Sequence, residues 1–421
     1  MISISEALKI IEREIRSLEI ETIDLENSIN RILAENVKAD MDLPPFDRSQ
    51  MDGFAVKSKD TKNAPVRLKI IGESAAGKGY DGKLKAGEAV RIMTGARLPA
   101  GADAVQKVEL TREENNYIEI SEPAKVRQNV NLFASEIEKG AKIFGKGETI
   151  TEPMIAAIAS FGYARIKVFQ KPRISVLSTG SEIVEINEKP KRDQIRNSNS
   201  IMLKVFAEQA GADAKILPIV QDDIETLKNQ IAQAVGFESK VQSPKSKVGL
   251  DFKSQIPNPK SQILIITGGV SVGDYDYTKP VLRELGAEIF FERVSLKPGK
   301  PTVFARLNGT LIFGLPGNPV SAAVTFLLFV RKVILQMQGA KDCDLKRGRA
   351  VASGKIKGAK ERDSLLPVSL RTNDAGQLTI DALRFSGSSN FIEFARADSL
   401  VFVPQSVSLQ AGDVAEILYL P

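Results

Sequence analysis

Between residues 172 and 337 short apolar runs alternate with helix-like patterns, and the loops that close those runs carry glycines, hydroxyls and acids. The run 174–177 leads into Ser178-Thr179-Gly180-Ser181-Glu182, and a helix follows over 200–209, closed by Gly211. The run 215–220 leads into Gln221-Asp222-Asp223 and a helix to about residue 235; the run 263–266 leads into residues 267–276 and a helix over 278–285; the run 311–314 leads into residues 315–321 and a long apolar helix to about residue 337. Strands alternating with helices predict a parallel sheet, and every loop that follows a strand of such a sheet lies on its carboxyl edge, where open α/β sheets bind ligands. Two of these loops are glycine-rich: Thr267-Gly268-Gly269-Val270-Ser271-Val272-Gly273-Asp274-Tyr275-Asp276 and Leu315-Pro316-Gly317-Asn318-Pro319-Val320-Ser321. Glycine lets the backbone approach a ligand, and free amides at a helix start attract anions, so the rim predicts a site for a phosphorylated molecule.

The flanking text has other periods. Residues 3–18 predict an amphipathic helix, with Ser3 and Glu6 forming a capping box and Leu8, Ile11, Ile15 and Leu18 on one face. From about 41 to 140, β-rich runs (66–71, 89–93, 104–110, 117–120) between Gly, Pro and Asn turns predict a small β domain. A helix starting at Thr151 with Pro153 in its first turn stops at Gly162 and precedes a strand over 166–169. Residues 236–262, rich in Lys, Ser, Gln and Pro, read as a solvated insertion. After about 338, short alternating strands predict a barrel or sandwich. A chain of 421 residues exceeds one ordinary core. The expectation is a multidomain α/β plus β protein: residues 1–40 with 141–168, then 41–140, 169–337 and 338–421.

The chain has no histidine, which removes the usual general base, the Ser/His/Asp triad and any imidazole metal site. Carboxylates, lysines, arginines, hydroxyls, backbone amides or a hard cation held by oxygens must do the chemistry. A single cysteine, Cys343, forms no internal disulfide, and no signal-peptide pattern opens the chain, so a reducing cytoplasm is expected. No apolar run reads as long enough to span a bilayer. The net charge of +6 suits an anionic small ligand; without tryptophan, or basic runs interleaved with aromatics, nucleic-acid binding is not expected.

Each candidate residue has a plainer role beside the functional one. Asp276, Glu182, Asp222 and Asp223 suit oxygen ligation of Mg²⁺, but aspartate also caps helices, and for Asp222 and Asp223 the two readings stand level. Lys297-Pro298-Gly299-Lys300-Pro301 sets two ammonium groups on a stiff turn suited to an oxyanion. Met51-Asp52-Gly53 and Met93-Thr94-Gly95 are, on spacing alone, ordinary turns, and Ser386-Gly387-Ser388-Ser389 is a loop.

Six motifs in order, PPFDRSQMDGFAV, RIMTGARLPAGADAV, VLSTGSE, TGGVSVGDYDYTK, KPGKP and LPGNPVSA, resemble the molybdopterin molybdenumtransferases, the MoeA and gephyrin E-domain family, over nearly the whole chain outside 236–262. The resemblance implies an elongated four-part subunit that forms a homodimer: a discontinuous N-terminal helical part, an inserted β domain, a MogA-like α/β domain similar to the molybdopterin adenylyltransferases, and a C-terminal β-barrel. It also implies molybdate insertion into adenylyl-molybdopterin, with Mg²⁺-dependent release of AMP. Asp276 matches a candidate metal ligand, Glu182 the acid of the Ser-Thr-Gly-x-Glu motif, and Lys297 and Lys300 an oxyanion-holding pair. Asp52 and Thr94 are expected to reach the partner's α/β rim. Glu136, Thr179, Gly180, Gly268, Gly269, Ser271, Gly273, Pro316, Gly317, Asn318, Pro319 and Ser388 match substrate-binding positions. An adenylyltransferase supplying the substrate and molybdoenzymes receiving the product are the implied partners. Three positions depart from the family pattern: Glu136 replaces an aspartate, Ser181 stands where aspartate is common, and Leu366 stands where an arginine is often seen, with Arg362 and Arg371 nearby. The α/β loops alone also fit an adenylyltransferase, which lacks the Met-Asp-Gly and Met-Thr-Gly motifs, or a scaffold that keeps the fold without activity.

Overall fold

The computed structural model describes residues 1–236, 260–269, 277–383 and 387–421. Ser271, Gly273, Asp276 and most of the lysine- and serine-rich insertion lie outside the described residues.

At the N-terminus, helix α1 (Ile4–Glu14) is opened by the expected box: the Ser3 hydroxyl accepts from the Glu6 amide, and the Glu6 carboxylate accepts from the Ser3 amide. The backbone turns extended at Ile15, sooner than the pattern predicts, yet Ile15 and Leu18 still pack on the core that α1 enters through Ala7 and Ile11. That core belongs to the α/β sheet. The rest of the N-terminal region is discontinuous: Ile20–Asp24 pairs antiparallel with Arg165–Phe169, and Val37–Lys38 with Lys142–Phe144. Their apolar faces close with helix α2 (Glu152–Ser160) over Leu33, Ile150, Ile158 and Val168. Between the two halves sits a six-stranded sheet in the spatial order 104–107, 53–56, 88–92, 66–74, 117–120, 111–114.

The α/β sheet contains β1 (Arg173–Ser178), β2 (Asp213–Ile216), β3 (Ile263–Thr267), β4 (Glu288–Phe291), β5 (Val303–Leu307) and β6 (Thr310–Leu315), in the order β2-β1-β3-β6-β5-β4. The first four are parallel, as expected; β5 and β4 add antiparallel. Those two strands are not apparent from the helix–strand alternation, because hairpin strands need no crossover helix. Alternate residues of the parallel strands enter opposite cores. Ile263 and Ile265 face α1, α3 (Ser198–Gln209) and α6 (Pro319–Thr325), while Leu264 and Ile266 face α4 (Ile224–Ala234) and α5 (Thr278–Glu284). Burial on both faces explains why these strands read as unbroken apolar runs.

Helix α6 continues through a π-helical turn, Phe326–Val330, into α7 (Arg331–Met337). The stretch Pro319–Met337, with a mean hydropathy of 1.7, is by length and composition able to cross a bilayer, contrary to the expectation above; it is mostly buried in the α/β core instead.

The C-terminal strands β7 (Arg347–Ala352), β8 (Asp363–Thr372), β9 (Leu378–Ala382), β10 (Ser399–Val403) and β11 (Val414–Tyr419) pair in the cycle β8-β9-β7-β11-β10-β8, which is a closed barrel. A two-residue strand, Leu296–Lys297, adds parallel to β8 through Leu296↔Asp363 and Lys297↔Ser364, fastening the barrel to the α/β domain.

Phe304 of β5 is fully buried, with its ring 5.2 Å from that of Phe290 and 4.9 Å from that of Phe313. Phe304→Ala is expected to cost about 3–5 kcal/mol, read as a lower urea midpoint by circular dichroism.

Candidate functional site

The parallel register sets Ser178 opposite Thr267 and Thr267 opposite Leu315, so the loops after β1, β3 and β6 leave the sheet side by side. The segment after β2 joins them by a bridge between Thr179 and Val220. Above this rim lie two chambers of about 870 and 740 Å³ that share Pro301, Pro316 and Asn318. Each lies in the size range that encloses a small ligand.

The inner chamber is lined by Thr179, Glu182, Asn199, Gly268, Gly269 and Gly317, among others. Several amides of the described loops are already committed within the fold. Thr179 donates to Thr267 O, Gly180 to Val220 O, Gly268 to Leu315 O and Val320 to Ser388 O, so these amides are already bonded. The glycines serve close approach instead: Gly268 has φ +91°, and a Cβ there would lie 2.2 Å from Thr179 O. Gly317 is different, with no neighbour nearer than 3.6 Å to its Cβ position.

Side chains add polarity to the chamber. Asn199 Nδ2 donates to Gly317 O (2.7 Å) and Thr267 Oγ1 (3.1 Å), which fixes the amide orientation and leaves Asn199 Oδ1 as an acceptor. Asn199 Oδ1 and Thr179 Oγ1 are shielded from solvent and have no hydrogen-bond partner. A buried polar group left unsatisfied costs about 1–3 kcal/mol, and such costs persist where a ligand relieves them.

The outer chamber is strongly basic. Arg293, Lys297, Lys300, Lys355, Lys357 and Arg362 line it, and no carboxylate does among the described residues. Lys297 and Lys300 are exposed on a turn whose Gly299 has φ +122°, where a Cβ would lie 2.5 Å from Thr325 Cγ2. Lys355 and Lys357 were missed in the sequence; the alternation Lys355-Ile356-Lys357, with Ile356 buried in the barrel core, was the available signal. Arg362, whose Nη1 donates to Leu296 O, lines the chamber beside Leu366, whereas Arg371 pairs with Asp381 and is not among the lining residues. Ser388 joins the chambers: its hydroxyl accepts from Asn318 Nδ2 at 2.9 Å.

Of the remaining candidates, Asp222 accepts from the Ser181 amide and hydroxyl, and Asp223 caps α4 by accepting from the Thr226 amide. For Asp223 the capping role is therefore realised, and neither aspartate lines a chamber. Among the described residues no three acid or cysteine side chains gather as a metal cage, and Glu182 is the one carboxylate lining the inner chamber. Cys343 is buried, and burial pushes its thiol up to about 11, so it remains protonated at neutral pH.

Asp52 and Thr94 meet because Gly53 pairs with Ile92 across the β-domain sheet. The Thr94 amide and hydroxyl both donate to Asp52 Oδ1, at 2.6 and 2.8 Å. These two bonds, the backbone one foremost, hold the carboxyl below its ordinary value of 3.8. Glu136 pairs with Arg48 at 2.8 Å. Asp52, Thr94 and Glu136 line neither chamber of their own chain.

Comparison with known proteins covers almost the full length. The family description "MoeA N-terminal region (domain I and II)" matches residues 2–162, "probable molybdopterin binding domain" matches 175–239 and 252–336, and "MoeA C-terminal region (domain IV)" matches 349–420. The molybdopterin molybdenumtransferase of Staphylococcus aureus (strain COL) is 32% identical over 99% of this chain and 95% of the relative. That of Staphylococcus epidermidis is 30% identical with the same coverage. A solved molybdopterin biosynthesis MoeA protein from Pyrococcus horikosii superposes with a TM-score of 0.76 at 31% identity, covering 100% of this chain and 99% of the other.

Gly268→Ala is expected to lower the thermal midpoint, because both its φ and the 2.2 Å approach exclude a side chain, whereas Gly317→Ala leaves it unchanged. For Asp52, nuclear magnetic resonance titration is expected to give a midpoint below 3.8, moving up toward that value in Thr94→Val. A depressed carboxyl stabilises the fold above its unfolded pKa and loses that contribution as pH falls through the folded one, so the Asp52–Thr94 link holds throughout the neutral range.

Proposed function

We propose, proceeding from the fact that this chain belongs to the MoeA family of molybdopterin molybdenumtransferases, that it inserts molybdate into adenylyl-molybdopterin and releases AMP with the help of Mg²⁺. The observation that carries the reading is the outer chamber, in which six cationic side chains face one another with no carboxylate among the described lining residues. Mutual repulsion makes such a cluster costly when empty, and an oxyanion offsets that cost. Lys297 and Lys300 hold the molybdate, with Arg362 and the barrel lysines closing the anion site from the other side. The inner chamber takes the nucleotide-bearing part of the substrate, next to Glu182.

Mg²⁺ would be held by one or two carboxylates together with substrate phosphate oxygens; Glu182 lines the inner chamber, and Asp276 is assigned to the cation from its sequence motif. When bound, the cation neutralises phosphate charge as AMP leaves. The chain's own residues bind and orient: the lysines fix the oxyanion beside the reacting end.

The Asp52–Thr94 pair completes the site from a second subunit of a homodimer. Both side chains are exposed in this chain, and exposed Met51 and Met93 adjoin them in sequence, so the pair has an apolar surround suited to a protein interface. The protein works in the cytoplasm, in keeping with its one reduced, buried cysteine. An adenylyltransferase supplies its substrate and molybdoenzymes take its product.

The test is AMP release from adenylyl-molybdopterin in the presence of molybdate and Mg²⁺. Lys297→Ala and Lys300→Ala are each expected to lower the rate roughly 10- to 150-fold, the loss of one charged hydrogen bond of ~1.5–3 kcal/mol. Chelation of divalent cations is expected to abolish release. Asp52→Ala and Lys297→Ala chains, each impaired alone, are expected to recover about a quarter of wild-type activity when mixed and allowed to exchange subunits, because half of the dimers then hold one intact site. Unimpaired single variants, or no recovery on mixing, would remove the lysine and dimer assignments respectively.

A further inference from the structure

We propose that Phe391 is the stacking platform for a planar nitrogen heterocycle, the adenine or the pterin of the substrate, in the inner chamber. The proposal rests on the functional reading above and assigns it a residue. Phe391 begins a single helical turn, Phe391–Phe394, which with Ser389 is the barrel region's contribution to a chamber otherwise built by the α/β domain. It lines that chamber while remaining 45% exposed. Phe394, three residues on, is buried in the α/β core and anchors the turn. The stem is fastened as well: Ser388 O accepts from the Val320 amide, Ser388 Oγ accepts from Asn318 Nδ2, and the Phe391 amide donates to Ser389 O. The ring is therefore held at the wall by its backbone and neighbours, although nothing among the described residues covers it.

The rest of the chamber narrows the ligand. Ile183, Pro190 and Ile195 add apolar lining, while Thr179 Oγ1 and Asn199 Oδ1 supply polar atoms without partners. An aliphatic ligand would leave those atoms unsatisfied, and a phosphate would gain nothing from the ring. A planar heterocycle has an apolar face and a polar edge together, and aromatic side chains bind such rings face to face. Ile392, 57% exposed, does not line the chamber, so the surface exposure of this turn does not explain Phe391.

The chain contains no tryptophan, so Phe391→Trp in the full-length protein introduces a single indole whose emission reports stacking. The probes are AMP and, separately, pterin-6-carboxylic acid. One of them is expected to quench the indole, which identifies the ring. Affinity for that probe is expected to fall roughly 5- to 150-fold in Phe391→Ala, as for the loss of one stacked base at ~1–3 kcal/mol. Phe391→Tyr is expected to restore it and Phe391→Leu not, with molybdate affinity unchanged throughout. Absence of quenching by both probes, unaltered affinity in Phe391→Ala, or full restoration by leucine would overturn the platform. If the wild-type chain still releases AMP in that event, the transferase reading stands; if it neither releases AMP nor binds either probe, both fall.

Discussion

The cleft depends on a seam between the barrel and the α/β domain. Leu296 and Lys297 extend the barrel sheet as a short parallel strand beside β8, and Ser388 returns from the barrel to accept from Asn318 and Val320 at the start of α6. These two attachments set the barrel's Lys355, Lys357 and Arg362 in the same wall as the lysine turn. The seam also consumes an amide at the head of α6 that would otherwise face an anion, which is why the outer chamber relies on ammonium and guanidinium groups. Side-chain cations on separate elements are adaptable, whereas helix amides act only along one axis.

The two chambers divide the polarity of the site. Cations gather in the outer one; the inner one combines unsatisfied hydroxyl and amide oxygens with isoleucine, proline and an uncovered phenylalanine. Pro301, Pro316 and Asn318 stand at their junction, so a molecule with an anionic end and a planar end can occupy both at once. Stiff proline walls suit that division, since they lose little conformational freedom when a ligand is enclosed.

Much of the rim was legible in the primary structure because its signals are local. Strands buried on both faces read as apolar runs, the glycine loops stand at their ends, and a parallel sheet sends all such ends to one edge. Glu182, Thr179, Gly268 and Asn318 were placed at this edge in this way, and of them Glu182 and Asn318 are exposed. Asp223 shows the limit of the method. An aspartate before a helix looks alike whether it caps or binds a cation, and only its bond to the Thr226 amide distinguishes the two. Lys355, Lys357 and Phe391 escaped notice because they lie on the barrel, more than fifty residues from the Lys297 turn or the glycine loops they face, and no periodicity relates them.

Residue order alone determined the alternating α/β unit, its loaded edge, the capping box of α1, the exclusion of histidine chemistry and the six motifs of the family. These follow from hydrophobic period, backbone stereochemistry and composition, which act over a few neighbouring residues. Tertiary structure decided that the barrel closes, that β4 and β5 run antiparallel, that the Gly268 and Val320 amides bond the protein's own carbonyls, and that six cations and one exposed ring meet above the rim. Those outcomes arise from pairings between distant segments, whose free energy depends on what packs against what and has no signature in any single stretch of chain.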